Sequence, residues 1–304
     1  MRIALHLGVH FAGTPRLLAS LRANKEALEL RGTQVPHVHT YRKPVLDLLA
    51  DLDGLPPIGP EQDRLLASIT EGTPRQLVLA DPDWASPLGA AFADGRLYAR
   101  IAAHAPRVIE LFEGQDLHLS LAIRNPAFFV NEALVKDKHV GAVHQFLRWS
   151  NPDNLSWIPV IDALRKAVPD APLTVWCEED TPLIWPRILR TVGGLREDDK
   201  LRTSFSALRN LMRPEGLNRL HAYVRTYPPA DDAQTEQVIL AFLDKYGIES
   251  AMKAPSVVPD WTAQTIRTIS DHYERDIDLL AARDDIDMIL PLPLTDAPAP
   301  AGDI

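Results

Sequence analysis

The chain has a single cysteine, Cys177, in 304 residues, which excludes an internal disulfide and any zinc cluster built on thiolates. It lacks an uninterrupted apolar run long enough to cross a bilayer. Positive charge is also in deficit: 32 Lys and Arg stand against 41 Asp and Glu, a net charge of −9. That balance argues against a general nucleic-acid or anionic-membrane binder. Glycine is scarce, 15 residues beside 26 prolines. Many prolines fall at element boundaries; Pro15, Pro126, Pro182 and Pro186 each stand near an expected helix start. The first strand begins almost at residue 1, leaving no room for a cleaved leader. These points predict a cytoplasmic soluble protein, and 46% hydrophobic residues suffice for a substantial core.

The most informative stretch is Ile3 to Leu17. An apolar strand over Ile3–Leu7 runs into a turn bracketed by Gly8 and Gly13, and a helix opens with Thr14 as N-cap and Pro15 at its first position. Such a strand–loop–helix aims backbone N–H groups and a positive helix end at one point, which suits a phosphate. A lysine is missing: position 11 is Phe11. The sequence fails Gly-x-x-x-x-Gly-Lys-Ser/Thr, so a tight turn with glycines chosen for geometry explains the loop alone about as well.

Further strands are expected at 76–80, 117–123 and 172–177, each ending in a polar cluster: Asp81 to Trp84, Arg124 to Pro126, and Glu178 to Asp180. Helices are expected at about 41–52, 60–70, 96–112 and from Thr181. The first helix carries Leu17, Leu18, Leu21 and Leu28 on one side and stops at Gly32. An amphipathic region runs from Pro126 to about Trp149. Beyond about residue 200 only helices are read, near 203–212, 215–226, 233–247 and 260–283. Strands alternating with helices predict a parallel sheet covered on both faces, with ligands outside the carboxyl ends of its strands. The expected layout is an α/β core over 1–200, a helical region of the same domain over 201–290, and an unstructured Pro- and Ala-rich tail over 291–304.

Gly8, His10, Gly13, Thr14 and Leu17, continuing through Leu21, Asn24, Leu28, Arg31-Gly32 and Pro36, resemble the opening of the P-loop sulfotransferases, above all their divergent bacterial branch. Arg124-Asn125-Pro126 resembles that family's second signature, and Trp176-x-x-Glu-Asp-Thr-Pro extends the likeness over roughly residues 1–190. The resemblance implies a three-layer α/β/α P-loop fold with a central parallel sheet and a helical C-terminal region. It implies a site for 3′-phosphoadenosine 5′-phosphosulfate over Gly8, His10, Phe11, Ala12, Gly13, Thr14, Pro15 and Arg16, with Arg124 gripping the 3′-phosphate. The family's serine contact falls near Asn131, a possible donor, or Glu132, which would repel a dianion. No metal is implied. The acceptor would be a small molecule, glycan or protein offering a hydroxyl or amine.

The departures bear on chemistry. The lysine that stabilises the leaving phosphate in the family is Phe11, the next threonine is Ala12, and two hydroxyl positions are Pro15 and Arg16. Sulfuryl transfer needs an in-line nucleophile, a base and cations for the leaving group. His10 or Asp83 is the candidate base, with Arg16 or His10 assisting the phosphate. The alternative is a catalytically degenerate descendant that acts as a nucleotide-binding or protein-interaction module.

Smaller motifs have plainer readings. His37-Val-His39 could present two imidazoles on one strand face, but with no third ligand a surface loop explains it better. His118 reads as a satisfied core histidine. Glu178-Glu179-Asp180 fits an acidic helix start as well as a metal site. Arg124 could instead pair with Glu178 or Asp81. Tyr223, Tyr227 and Trp261 read as packing residues.

Overall fold

A computed structural model describes residues 1–136, 140–149, 151, 155–249, 258–259 and 261–293. Six parallel strands form one sheet: β1 (Arg2–His6), β2 (Thr33–Gln34), β3 (Gln76–Ala80), β4 (Asp116–Ile123), β5 (Leu173–Cys177) and β6 (Asp287–Ile289), in the order β2-β3-β1-β4-β5-β6. All of β3 and nearly all of β1 and β5 are buried. That explains why these strands read as continuous apolar runs, as parallel strands covered on both faces do.

Helices cover both faces in an α/β/α arrangement. The first group is α1 (Thr14–Ala23), α2 (Lys25–Arg31) and, packed on α1, α9 (Thr181–Gly193). The second is α3 (Val38–Asp51), α4 (Gly59–Ile69), α5 (Ile101–Glu110) and α8 (Ile158–Ala167), in contact along the series α4-α3-α5-α8. Helix α6 (Pro126–Lys136) touches α7 (Val140–Trp149) and the long α12 (Ala263–Ala281). The hairpin of α10 (Pro214–Thr226) and α11 (Asp232–Tyr246) builds a smaller cluster around Leu220, Ile239 and Phe242.

Several expectations need correction. The first helix is two helices, because Asn24 turns its side-chain amide onto the Ser20 carbonyl at 2.7 Å and the Thr203 hydroxyl at 3.0 Å. Its N-cap is Gly13, in the left-handed region at φ 69°, and Thr14 is the first helical residue. Pro186 lies inside α9 rather than at a start. The region after 200 is not all helical: β6 pairs with β5, and 203–212 holds only a 3-10 turn at Ser206–Leu208. Helix α8 fills a stretch that carried no expectation. His37 precedes α3 and His39 lies within it, their rings stacked at 5.4 Å, so the pair is not on a strand. His118 is one-third exposed and bonded to Arg2, not a core histidine.

Tyr223 and Trp261 pack against the two clusters, whereas Tyr227 is largely exposed. The expected tail is described only as far as Pro293, with the Leu292 N–H donating to Glu236 at 2.7 Å; 294–304 lies outside the described residues. Among the described residues no helix is long and apolar enough to cross a membrane.

Candidate functional site

The strand order locates the site. From β1 the chain leads to β2 on one side of the sheet, and from β4 it leads to β5 on the other. Strands β1 and β4 are hydrogen-bonded neighbours, with His6 opposite Ser120. The crevice at their carboxyl ends is therefore the topological switch point, where open α/β sheets bind ligands. The β1–α1 loop and Arg124 flank it.

Gly13 decides what can approach the loop. A Cβ there would stand 3.1 Å from both carboxylate oxygens of Glu178 and 2.8 Å from Arg16 Nη2. Glycine thus combines a positive φ with room for an acid to come down on the backbone. Arg16, in the first turn of α1, donates Nη2–H to Glu178 Oε1 at 2.7 Å and lies over the Trp185 ring at 5.0 Å. The Thr181 hydroxyl donates to the other Glu178 oxygen at 3.2 Å. Burial pushes the Glu178 carboxyl up, while Arg16 and Thr181 pull the other way. Among the described residues three buried polar atoms of the loop and its neighbours have no hydrogen-bond partner: Thr14 Oγ1, which faces Gly8, Arg16 Nε, and Nε1 of the Trp185 ring beneath Arg16. Orphaned donors of this kind cost free energy unless something polar meets them.

Arg124, at the end of β4, donates through Nη1 to the Phe11 carbonyl at 2.9 Å and to Glu132 Oε2. Its acid partner is therefore neither Glu178 nor Asp81. Burial pushes the Glu132 carboxyl up, but Lys136 and Arg124 outweigh it and hold the group below its ordinary range. The Trp157 indole donates to the Arg124 carbonyl at 2.6 Å and fixes the strand end. Asn131 sits on α6 beside Glu132. Both cations expected to meet phosphates are thus held by carboxylates of the same chain.

Phe11 stands where the resemblance leads one to expect a lysine. Its ring lies 6.0 Å from Phe129, which in turn stacks on Phe92 at 5.2 Å and lies 5.9 Å from Tyr98. Position 11 is part of an aromatic cluster, although its backbone takes a left-handed φ of 63°. Tyr98, at φ 45°, is, with Phe11, a non-glycine residue of the site held in the left-handed region. Such conformations cost about 1–3 kcal/mol each and persist where surrounding packing over-determines them.

His10 and Asp83, the two alternative candidates for a base, are hydrogen-bonded to each other. His10 Nε2 lies 3.0 Å from Asp83 Oδ1, and Nδ1 lies 2.7 Å from the Tyr98 hydroxyl, which also accepts the His10 backbone N–H at 2.9 Å. With Nε2 protonated, the ring donates to Asp83 while Tyr98 donates to Nδ1; a hydroxyl can serve either tautomer. The bond from His10 holds Asp83 below the usual carboxylate range. Burial pushes the Tyr98 hydroxyl up, so it stays a neutral donor.

Tyr98 was not legible, since nothing in its local pattern marks a partner 88 residues away. Beside the pair opens a cleft of about 630 Å³ at the ends of β1 and β3, between α3 and α5. Asp81, nearly fully buried, is bound there by Arg42 Nε at 2.5 Å. Among the described residues no group of three His, Cys, Asp or Glu is placed to hold a metal ion. Comparison with known protein families, with curated proteins and with solved structures finds no match.

Proposed function

We propose that this is a sulfotransferase-like protein that binds 3′-phosphoadenosine 5′-phosphosulfate, or its desulfated product, in the crevice between the β1–α1 loop and Arg124. The supporting observation is the approach at Gly13, where the Glu178 carboxylate already lies against the loop backbone and accepts from Arg16, in a loop whose Thr14 hydroxyl and Arg16 Nε have no partner among the described residues. A helix N-terminus with a carboxylate packed beside it and an arginine in its first turn has the chemistry to accept a phosphate. On binding, the 5′-phosphate would replace Glu178 as the partner of Arg16, and the 3′-phosphate would replace Glu132 on Arg124. A planar guanidinium suits both exchanges.

Transfer would run from this crevice towards the cleft. The acceptor oxygen attacks sulfur and the bond from sulfur to the bridging phosphate oxygen breaks. The acceptor proton passes to the His10–Asp83 pair, and the electron pair leaves on the 5′-phosphate. The loop offers Arg16 as its one guanidinium and no lysine. Losing one such stabilising group costs about 10²–10³ in rate, so binding is expected to be robust and turnover slow.

Calorimetric titration with 3′-phosphoadenosine 5′-phosphate tests this reading. Saturable binding is expected, tightened several-fold in Glu178→Gln, which removes the competing charge, and lost in Arg124→Ala. No heat at millimolar nucleotide in either the parent or Glu178→Gln would overturn it.

A further inference from the structure

We propose that the cleft beside His10 is the acceptor site, and that its ligand is a small amphiphile with a hydroxyl at one end, an apolar body and a carboxylate at the other. The identification of the bound hydroxyl as an acceptor rests on the function proposed above; the ligand class rests on the cleft itself. Its volume of about 630 Å³ lies within the range of about 300–1,000 Å³ seen for small-molecule sites.

Three chemistries line the cleft in separate places. One part carries His10 and Asp83, with one Asp83 oxygen taken by His10 and the side chain about half exposed. The walls are apolar: Leu46 and Leu49 from α3, Val108 from α5, and Trp84 and Leu88 from the turns after β3. Leu46 is 52% exposed on the rim, an apolar surface that a hydrocarbon body would cover. The cations are Arg42 and Arg107. Arg42 is committed to Asp81, whereas Arg107 has no acid within ion-pair distance among the described residues and donates to the Leu49 carbonyl at 3.2 Å.

The acids lining the cleft, Asp81 and Asp83, are met by Arg42 and His10. His104, whose ring burial and then Arg100 and Arg107 hold below its ordinary value, stays neutral there at pH 7. Among the described residues Arg107 is therefore the uncompensated charge, held at Leu49 about 10 Å along α3 from Arg42, the residue that binds Asp81 beside the His10–Asp83 pair. A carboxylate at that end complements it, since a charge-assisted bond needs an acid the chain does not supply.

Titration calorimetry with 10-hydroxydecanoate, 1,10-decanediol and decanoate reads this arrangement. 10-Hydroxydecanoate is expected to bind saturably and at least about tenfold more tightly than the diol, the scale of one hydrogen bond to a charged group. Arg107→Gln, at an exposed position, should remove that advantage and leave diol binding unchanged. Leu46→Glu should weaken all three ligands. The His10 ring resonances should shift with 10-hydroxydecanoate and less with decanoate, which lacks the hydroxyl.

Equal affinity for acid and diol, or an Arg107→Gln protein that still prefers the acid, would overturn the proposal, as would no binding of any of the three. Nucleotide binding without hydroxy-acid binding defeats this inference and leaves the nucleotide reading standing. Hydroxy-acid binding without nucleotide binding does the reverse.

Discussion

Gly13 is the residue on which the loop depends, because it permits both a left-handed φ and the approach of Glu178. Gly13→Ala should cost about 1–2 kcal/mol, combining backbone strain with disturbance of the Arg16–Glu178 pair. Gly89→Ala is the control: its φ is not positive and nothing lies within 4 Å of the added carbon, so stability should stay within about 0.5 kcal/mol or rise. Urea midpoints compare the two; equal effects would remove the argument.

At this scale the sequence revealed the positions but not their partners. Phe11 was visible as an aromatic where the resemblance expects a lysine, yet its contact with Phe129, which stacks on Phe92, was not, because both rings come from distant elements. Arg124 was visible as an arginine at a strand end. Its acid, Glu132, lies on the helix that follows rather than on a neighbouring strand.

Among elements, the long apolar strands and most of the helices were legible, whereas α8 and the shortest strands were not. Strands β2 and β6 have two and three residues, too few for any periodicity to show. They form because β3 and β5 offer edges for them to join. The acidic turn Glu178–Asp180 between β5 and α9 reads as a favourable helix start, but burial reverses that expectation for Asp180. Burial, reinforced by Glu179 and Glu274, lifts its carboxyl from 3.8 to about 6.

A carboxyl raised on folding binds its proton more tightly in the folded state. Its contribution to stability is fully present below about pH 4 and is lost as pH rises through about 6. Asp180→Asn should therefore stabilise the protein by about 1–2 kcal/mol at neutral pH, a figure reduced for the group's partial exposure. Near pH 3.5 the gain should vanish. Urea melts of both proteins at several values across this window check the sign; a gain confined to acid would contradict it.

For the whole molecule, the chain leaves the sheet after α9, builds the α10–α11 hairpin, and returns through α12 to add β6 beside β5. The hairpin's apolar cluster is separate from the main core, so it should behave as a local unit tethered at both ends. Its two helices close on Gly216, where a Cβ would fall 2.2 Å from the Tyr246 Cβ. No rotamer relieves a contact between two carbons fixed to backbones, so Gly216→Ala must push the helices apart. The cost belongs with overpacking, about 1–3 kcal/mol, and should fall on the hairpin first. Hydrogen exchange is the measurement: amides of 214–246 should lose protection while β1, β3, β4 and β5 keep theirs. Nucleotide and hydroxy-acid binding should also persist, because both proposed sites lie at the carboxyl ends of β1, β3 and β4. Loss of protection in the sheet by the same amount would show instead that the hairpin and sheet unfold as one cooperative unit.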